Sequence, residues 1–135
     1  MSELKLIHEA PTASSVEIVL DLPMPTSTNR LYGRGRGPVA YVHRSDEYVS
    51  WMEEADMAVM ADRAYPKRTI AGPFEVVIML SRKHRGDGDN RIKAALDWLQ
   101  SREIVRNDVD CRRGSWAWVD PGQAPRGCRV ILTEA

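Results

Sequence analysis

Two carboxylates and a lysine fall close together in the second half of the chain, at a spacing that could serve phosphate chemistry. Asp87 and Asp89 stand on either side of a glycine, and Lys93 follows four residues after Asp89. On a helix capped by Asp89 or Asn90, Lys93 lies one turn in, roughly 6 Å along the axis, and off the apolar face. Carboxylates of this kind hold Mg²⁺, and a lysine beside them can stabilise charge on a phosphate.

A second acidic pair, Asp108 and Asp110, comes after the predicted helix and offers a further metal ligand. A calcium EF-hand loop starting at Asp87 is excluded, because Ile92 and Trp98 stand where that loop requires Gly and Glu. An Asp-Gly-Asp sequence is also typical of a polar turn before a capped helix, so the pattern alone leaves metal binding open.

The longer pattern Asp-x-Asp-Asn-x-x-Lys-Ala-x-x-Asp-x-Leu, followed after the helix by Asn-Asp, resembles the RusA family of Holliday-junction resolvases. The Pro-rich segment 22–32, Leu-Pro-Met-Pro-Thr-Ser-Thr-Asn-Arg-Leu-Tyr, is also similar to that family, so the resemblance spans residues 16–130. The chain departs from the family in having Asn107-Asp108-Val109-Asp110, which leaves open whether Asp110 assists Asp108. The positions that match the family's site are Asp87, Asp89, Asn90, Lys93 and Asp108.

The resemblance implies a Mg²⁺-dependent endodeoxyribonuclease, with Mn²⁺ as a possible substitute, that cuts two strands of a four-way DNA junction in recombination and repair. Asp87, Asp89 and Asp108 would hold the metal, and Lys93 would act on the scissile phosphate. Such enzymes are homodimers of bacteria or their phages, in the cytoplasm. Two alternatives stay open: a metal-dependent nuclease or phosphohydrolase acting on flaps, other branched DNA or nucleotides, and a non-catalytic DNA-binding module of the same fold.

Charge is balanced overall but unevenly distributed. The chain has 19 basic and 19 acidic residues, so a uniformly basic nucleic-acid-binding domain is excluded. Basic residues concentrate in a loop at residues 26–44 and directly before Asp87, where His84 is a possible but less favoured catalytic base. The loop is either a solvated linker or an arm that grips phosphates. The predicted DNA-contacting residues are Asn29, Arg30, Arg34, Arg36, Arg82, Lys83 and Arg85.

The pattern of apolar residues predicts one α+β domain over residues 1–135, with a mixed sheet and two helices packed on it. Residues 1–14 are expected to form a weakly structured lead, and residues 39–42 a short strand within the basic loop. The expected order is a strand at 14–22, a helix from 46 to before 66, a strand at 74–82, a helix at 89–99, and strands at 111–119 and 128–133 paired as a hairpin.

Several other residues receive structural interpretations. Glu53, Glu54 and Asp56 are expected to form a solvated face of the first helix. Trp116 and Trp118 are expected in a core or an interface rather than as a base-stacking platform. The two cysteines, Cys111 and Cys128, are expected to be buried and unpaired. No apolar run approaches the ~20 residues of a membrane span, so we expect no membrane partner.

Overall fold

The computed structural model describes residues 17–26, 32–34, 42–44, 46–84 and 88–135 of the chain. Its strands are β1 (Glu17–Pro23), β2 (Tyr32–Arg34), β3 (Val42–Arg44), β4 (Phe74–Ser81), β5 (Cys111–Val119) and β6 (Gly127–Glu134). Its helices are α1 (Asp46–Ala61) and α2 (Asp89–Ser101). The fold is α+β, as the sequence predicts. Of the predicted lead, residues 1–14 lie outside the described residues.

The main sheet has four strands in the order β1-β6-β4-β5. β6 runs antiparallel to both β1 and β4, whereas β4 and β5 are parallel. The parallel pair follows from the chain order, because α2 returns the chain along the sheet between β4 and β5. β2 and β3 form a separate antiparallel pair within the segment predicted to be a loop.

The predicted β5–β6 hairpin is wrong, because β4 lies between the two strands. Strand composition explains the difference. β6 carries Cys128, Val130 and Leu132, all fully buried, and therefore suits the middle of the sheet. β5 contains two arginines, a glycine and a serine, and it forms one edge of the sheet, where charged and polar residues remain accessible to solvent.

The core is one cluster between a single face of the sheet and the two helices. Apolar residues of β1, β4 and β6 meet α1 and α2 there, and Trp98 of α2 is the largest of the fully buried side chains. α1 buries a stripe at helical spacing, which consists of Tyr48, Trp51, Met52, Ala55, Ala58 and Val59. On α2, Ala95 and Leu99 are buried, and Ile92 and Leu96 beside them are half-buried. The helical pattern thus fixes which faces pack.

Both cysteines are free thiols in strands. Cys128 is buried in β6 and Cys111 is half-buried at the first residue of β5. Burial raises the pKa of Cys128 to about 12 and also raises that of Cys111. Neither helix in the described part of the chain is long and apolar enough to cross a membrane.

Candidate functional site

The acidic turn, residues 86–89, leads into the first residues of α2. Asp89 is the first residue of the helix and Gly88 is its N-cap, with no side-chain hydrogen bond. The prediction that Asp89 or Asn90 caps α2 is therefore wrong, because both lie inside the helix. Their side chains and all of Asp87 lie outside the described residues.

Gly88 is buried against Trp116 of β5. A Cβ atom built on Gly88 would lie 2.2 Å from Cζ3 of that indole. Trp116 itself is 38% exposed, and its ring meets that of Trp118 edge-on, with the centroids 6.4 Å apart. Trp118 is half-buried and packs against the core. A tryptophan thus borders the acidic turn, which the sequence did not predict, because pairing of β5 with β4 brings the two together.

Lys93 lies one helical turn after Asp89, on the same side of α2. Its ammonium group is 3.6 Å from Oδ1 of Asp97, an ion pair between residues four apart. The side chain of Lys93 is 53% exposed, whereas that of Asp97 is only 17% exposed. Lys93 therefore stands off the apolar stripe, as the helical spacing predicts, and its ammonium group faces solvent beside Asp97, one turn further along α2.

A hydrogen bond holds the Pro-rich segment close to the start of α2. Arg91 donates a hydrogen bond from Nη1 to the carbonyl of Pro25 at 2.7 Å, and Trp51 donates from Nε1 to the carbonyl of Pro23 at 3.0 Å. Gly127, with a φ of 121°, approaches so closely that a Cβ there would lie 2.8 Å from the amide nitrogen of Met24. These contacts hold the segment that follows β1 in place beside the start of α2.

Of the predicted DNA-contacting residues, the structure describes the side chains of Arg82 and Lys83. Both are exposed in the turn that follows β4, and Nη1 of Arg82 is 3.5 Å from Oδ1 of Asp120. His84 is exposed in the same turn. Arg34 belongs to β2, where its side chain is not described. Asn29, Arg30, Arg36 and Arg85 lie outside the described residues.

Asp108 lies at the other end of α2. Its backbone N–H donates to Oε1 of Gln100 at 2.8 Å, and Gln100 is in the last turn of the helix. Eleven residues of helix separate Gln100 from Asp89, which is roughly 16 Å. A single chain therefore does not bring Asp108 to the acidic turn, and the same applies to Asp110. In the described part of the chain, no group of three or more His, Cys, Asp or Glu residues could hold a metal.

Asp56 was predicted to lie on a solvated face of α1. It is half-buried instead and binds residues at the end of α2. Its carboxylate accepts two hydrogen bonds from Arg102, at 2.7 and 2.8 Å, and a third from Nε1 of Trp98 at 2.9 Å. Tyr65 donates a fourth at 3.2 Å. Burial acts to raise the pKa of Asp56, but these hydrogen bonds and the charge of Arg102 outweigh it and lower the pKa. Glu53 and Glu54 are exposed, as predicted.

The start of α2 combines groups of opposite charge at one end of the sheet. Asp89 and Lys93 occupy one side of the first turns, Arg82 and Lys83 follow the strand that enters the acidic turn, and Pro25 leads into the basic loop. Such an arrangement can attract a phosphodiester through its cations while carboxylates hold a hard metal ion. The chain matches no protein-family model, and no curated protein matches it.

Proposed function

We propose that the protein is a magnesium-dependent endodeoxyribonuclease that resolves four-way DNA junctions in the cytoplasm, acting as a homodimer. The observation that carries the proposal is the position of Lys93, which lies exposed one turn into α2, after Asp89 at the start of that helix and the basic residues Arg82 and Lys83 that follow β4. A solvated surface turn has no need of an exposed lysine one turn after two carboxylates. A phosphodiesterase needs both.

The donor set suits a hard cation. Asp87 and Asp89 flank Gly88, whose packing against Trp116 leaves no room for a side chain there. When bound, Mg²⁺ supplies charge neutralisation on the phosphate oxygens and lowers the pKa of water. Lys93 would stabilise the negative charge that develops on the phosphate, and its ammonium group would turn from Asp97 towards the start of the helix to do so.

In a dimer, the partner subunit would supply the third carboxylate, because Asp108 lies far from the acidic turn of its own chain. β5 is an edge strand, and among the strands described here it pairs only with β4. If a two-fold axis crosses this edge, β5 of the second copy runs in the opposite direction to β5 of the first. The reason is that a two-fold contact pairs one end of an element with the other end of the same element in the partner. Asp108 of the partner subunit would then lie towards the acidic turn. A two-fold enzyme also suits a junction with two equivalent strands to cut.

The test is cleavage of a synthetic four-way junction, compared with a linear duplex, a flap and mononucleotides of the same sequence. We expect junction cleavage with Mg²⁺ or Mn²⁺ and none with a chelator. Asp89→Asn should abolish cleavage, while Glu53→Gln, which changes an exposed acid on α1, should not. Cleavage of flaps in preference to junctions would support the alternative substrate class. Binding to a junction without cleavage under any metal condition would indicate a non-catalytic module.

A further inference from the structure

The solvent-facing side of α1 carries negative charge, and no residue of the same helix balances it. Four acidic residues of α1 are exposed, and the helix contains neither lysine nor arginine. Asp46 and Glu47 lie in the first turn, where a carboxylate stabilises the positive end of the helix dipole. Glu53 and Glu54 lie in the middle of the helix, where the dipole gives them no such stabilisation. Solubility alone would account for these charges if the rest of this side were polar.

The same side of α1 also exposes large apolar side chains. Met57 is 66% exposed, Met60 is 65% exposed and Val49 is 40% exposed. Together with Glu53 they follow one another at intervals of four, four and three residues, which places all four on one stripe of the helix. A purely solvated helix face carries polar residues at such positions. Methionine is flexible and polarisable, and it is common in surfaces that adapt to a protein ligand.

Two adjoining grooves run between α1 and the segments that follow β1 and precede β6. One groove has a volume of about 560 Å³ and the other a volume of about 590 Å³, and both are bordered by Glu54. They therefore form one depression along the helix, which we call the α1 groove. Its apolar lining includes Pro23, Met24, Trp51, Met57, Ala58 and Pro125. α1 has 16 residues, so it offers a wall roughly 24 Å long, which is about four helical turns.

We propose that the α1 groove binds a basic amphipathic helix of a partner protein. Apolar side chains of that helix would pack against the methionines, and its lysines or arginines would lie beside the carboxylates, as in other complexes of a helix with a groove. The acidic rim attracts cations, and it repels nucleic acid and anionic lipid. A second copy of this chain fits less well, because a two-fold contact of α1 with itself brings like charges together. This interaction does not depend on the proposed nuclease activity.

The test is the binding of a fluorescein-labelled synthetic peptide, measured by fluorescence anisotropy. The probe has about 15 residues, enough for four helical turns, with leucines at helical spacing and lysines at the other positions. A second peptide has glutamate in place of each lysine, and a third has the composition of the probe without its periodicity. We expect the probe to bind at least about 10-fold more tightly than either comparison peptide, because only the probe matches both the apolar lining and the charge.

Two substitutions separate the groove from a general attraction to acidic surface. Met57→Lys places a cation in the apolar lining, and Glu54→Lys reverses the charge where the two grooves meet, so each should weaken probe binding at least about 10-fold. Glu17→Lys is the matched control for Glu54→Lys, because Glu17 is exposed on β1 and lines neither groove. Val109→Lys is the matched control for Met57→Lys, because Val109 is 77% exposed outside α1. Both controls should bind the probe as the wild type does.

Equal affinity for the probe and for either comparison peptide would overturn the proposal, and so would equal losses in the substituted and control proteins. Wild-type affinity in both Met57→Lys and Glu54→Lys would also overturn it, because the peptide would then bind elsewhere. Melting curves establish that each variant is folded, and both substituted side chains are exposed. Analytical ultracentrifugation tests the other occupant. Self-association that is lost in Met57→Lys and kept in Glu17→Lys would mean that a second copy covers the groove, and the proposal would be wrong.

Discussion

Lys93 belongs to the N-terminal half of α2, where the helix dipole gives a positive charge no stabilisation, so it adds little to helix stability. Its ion pair with Asp97 is half exposed and spans four residues, so it contributes little as well. We therefore expect Lys93→Ala to leave the melting temperature unchanged or slightly raised. Junction cleavage in single turnover should fall by roughly 10²-fold, the scale of losing one group that stabilises the transition state.

Lys67→Ala is the matched control for this prediction, because Lys67 is exposed in the connection between α1 and β4. It should affect neither property. Lys93→Arg should restore little activity, because a planar guanidinium differs in shape from a compact ammonium group. A Lys93→Ala protein that cuts at the wild-type rate, or that loses activity only through unfolding, would remove Lys93 from the proposed site.

Asp56 gives a prediction about stability and pH. Its pKa is lower in the folded protein than the ordinary value of 3.8, so the unfolded chain binds a proton more readily. The resulting stabilisation is present above pH 3.8 and is lost as the pH falls through the folded pKa. Asp56→Asn should lower the free energy of unfolding at pH 7 by about 2 kcal/mol, because it weakens hydrogen bonds to a charged group.

Urea unfolding at pH 7 and at pH 3 measures this effect. The variant should lose less stability than the wild type between the two values. Asp62→Asn serves as the control, because Asp62 pairs with Arg126 at the surface and should matter less. Equal losses in the two variants would contradict an anchoring role for Asp56.

The turn after β4 is the element whose proposed contribution to DNA binding is most directly measurable. Lys83→Ala should weaken junction binding and reduce the slope of log affinity against log salt by about 0.9, the value for one lost phosphate contact. Lys67→Ala, which removes the same charge elsewhere, should leave the slope unchanged. Binding isotherms between 50 and 200 mM salt, a range of about 4-fold chosen for counterion effects, give both values. An unaltered slope would mark Lys83 as ordinary solvated surface.

Local patterning predicted most elements well. β5 begins and ends at the predicted residues, and within the described residues the ends of the other long strands differ from prediction by at most one residue. The predicted start of the first strand, at residue 14, lies outside the described residues. Alternation of apolar residues fixes a strand, and a helical stripe fixes a buried face. Strand pairing was harder, because β5 and β6 are adjacent in sequence and the sequence does not show that β4 lies between them. Burial of a whole strand depends on neighbours that are distant in the chain.

The candidate site was predictable only in part, and for a similar reason. The helix that carries Lys93 was predictable, because it depends on the spacing of apolar residues that are close together in the sequence. The position of Asp108 depends on the length and direction of α2, which carry the chain to the far end of the sheet. The sequence did not identify Trp116 as a neighbour of Gly88, because the two residues are 28 positions apart. They come into contact only through the register of β4 with β5.

At the scale of the whole molecule, the proposed dimer can be tested by mixing subunits. If each site combines the acidic turn of one chain with Asp108 of the partner subunit, a dimer of one Asp89→Asn chain and one Asp108→Asn chain retains one intact site. That site should cut one strand and leave a nick. Each variant alone should be inactive. Mixing, partial unfolding and refolding, followed by separation of nicked and resolved junctions on a gel, measures the outcome.

A mixture that remains as inactive as its parents would argue that Asp108 acts within its own chain or not at all. Activity in Asp108→Asn alone would remove Asp108 from the site. Asp110→Asn should have the smaller effect; if it alone abolishes cleavage, Asp110 is the working acid of the second pair. Light scattering of each preparation confirms that the same oligomer is being compared.

The reactivity of the two thiols reports the order in which the strands of the main sheet open. Cys128 lies in β6 between two strands and has a pKa of about 12, so alkylating reagents reach it only when the sheet opens. Cys111 starts the edge strand and is half-buried, so fraying of β5 alone exposes it. Mass spectrometry should therefore find Cys111 modified long before Cys128. If two copies associate through β5, alkylation of Cys111 should become slower as the protein concentration rises.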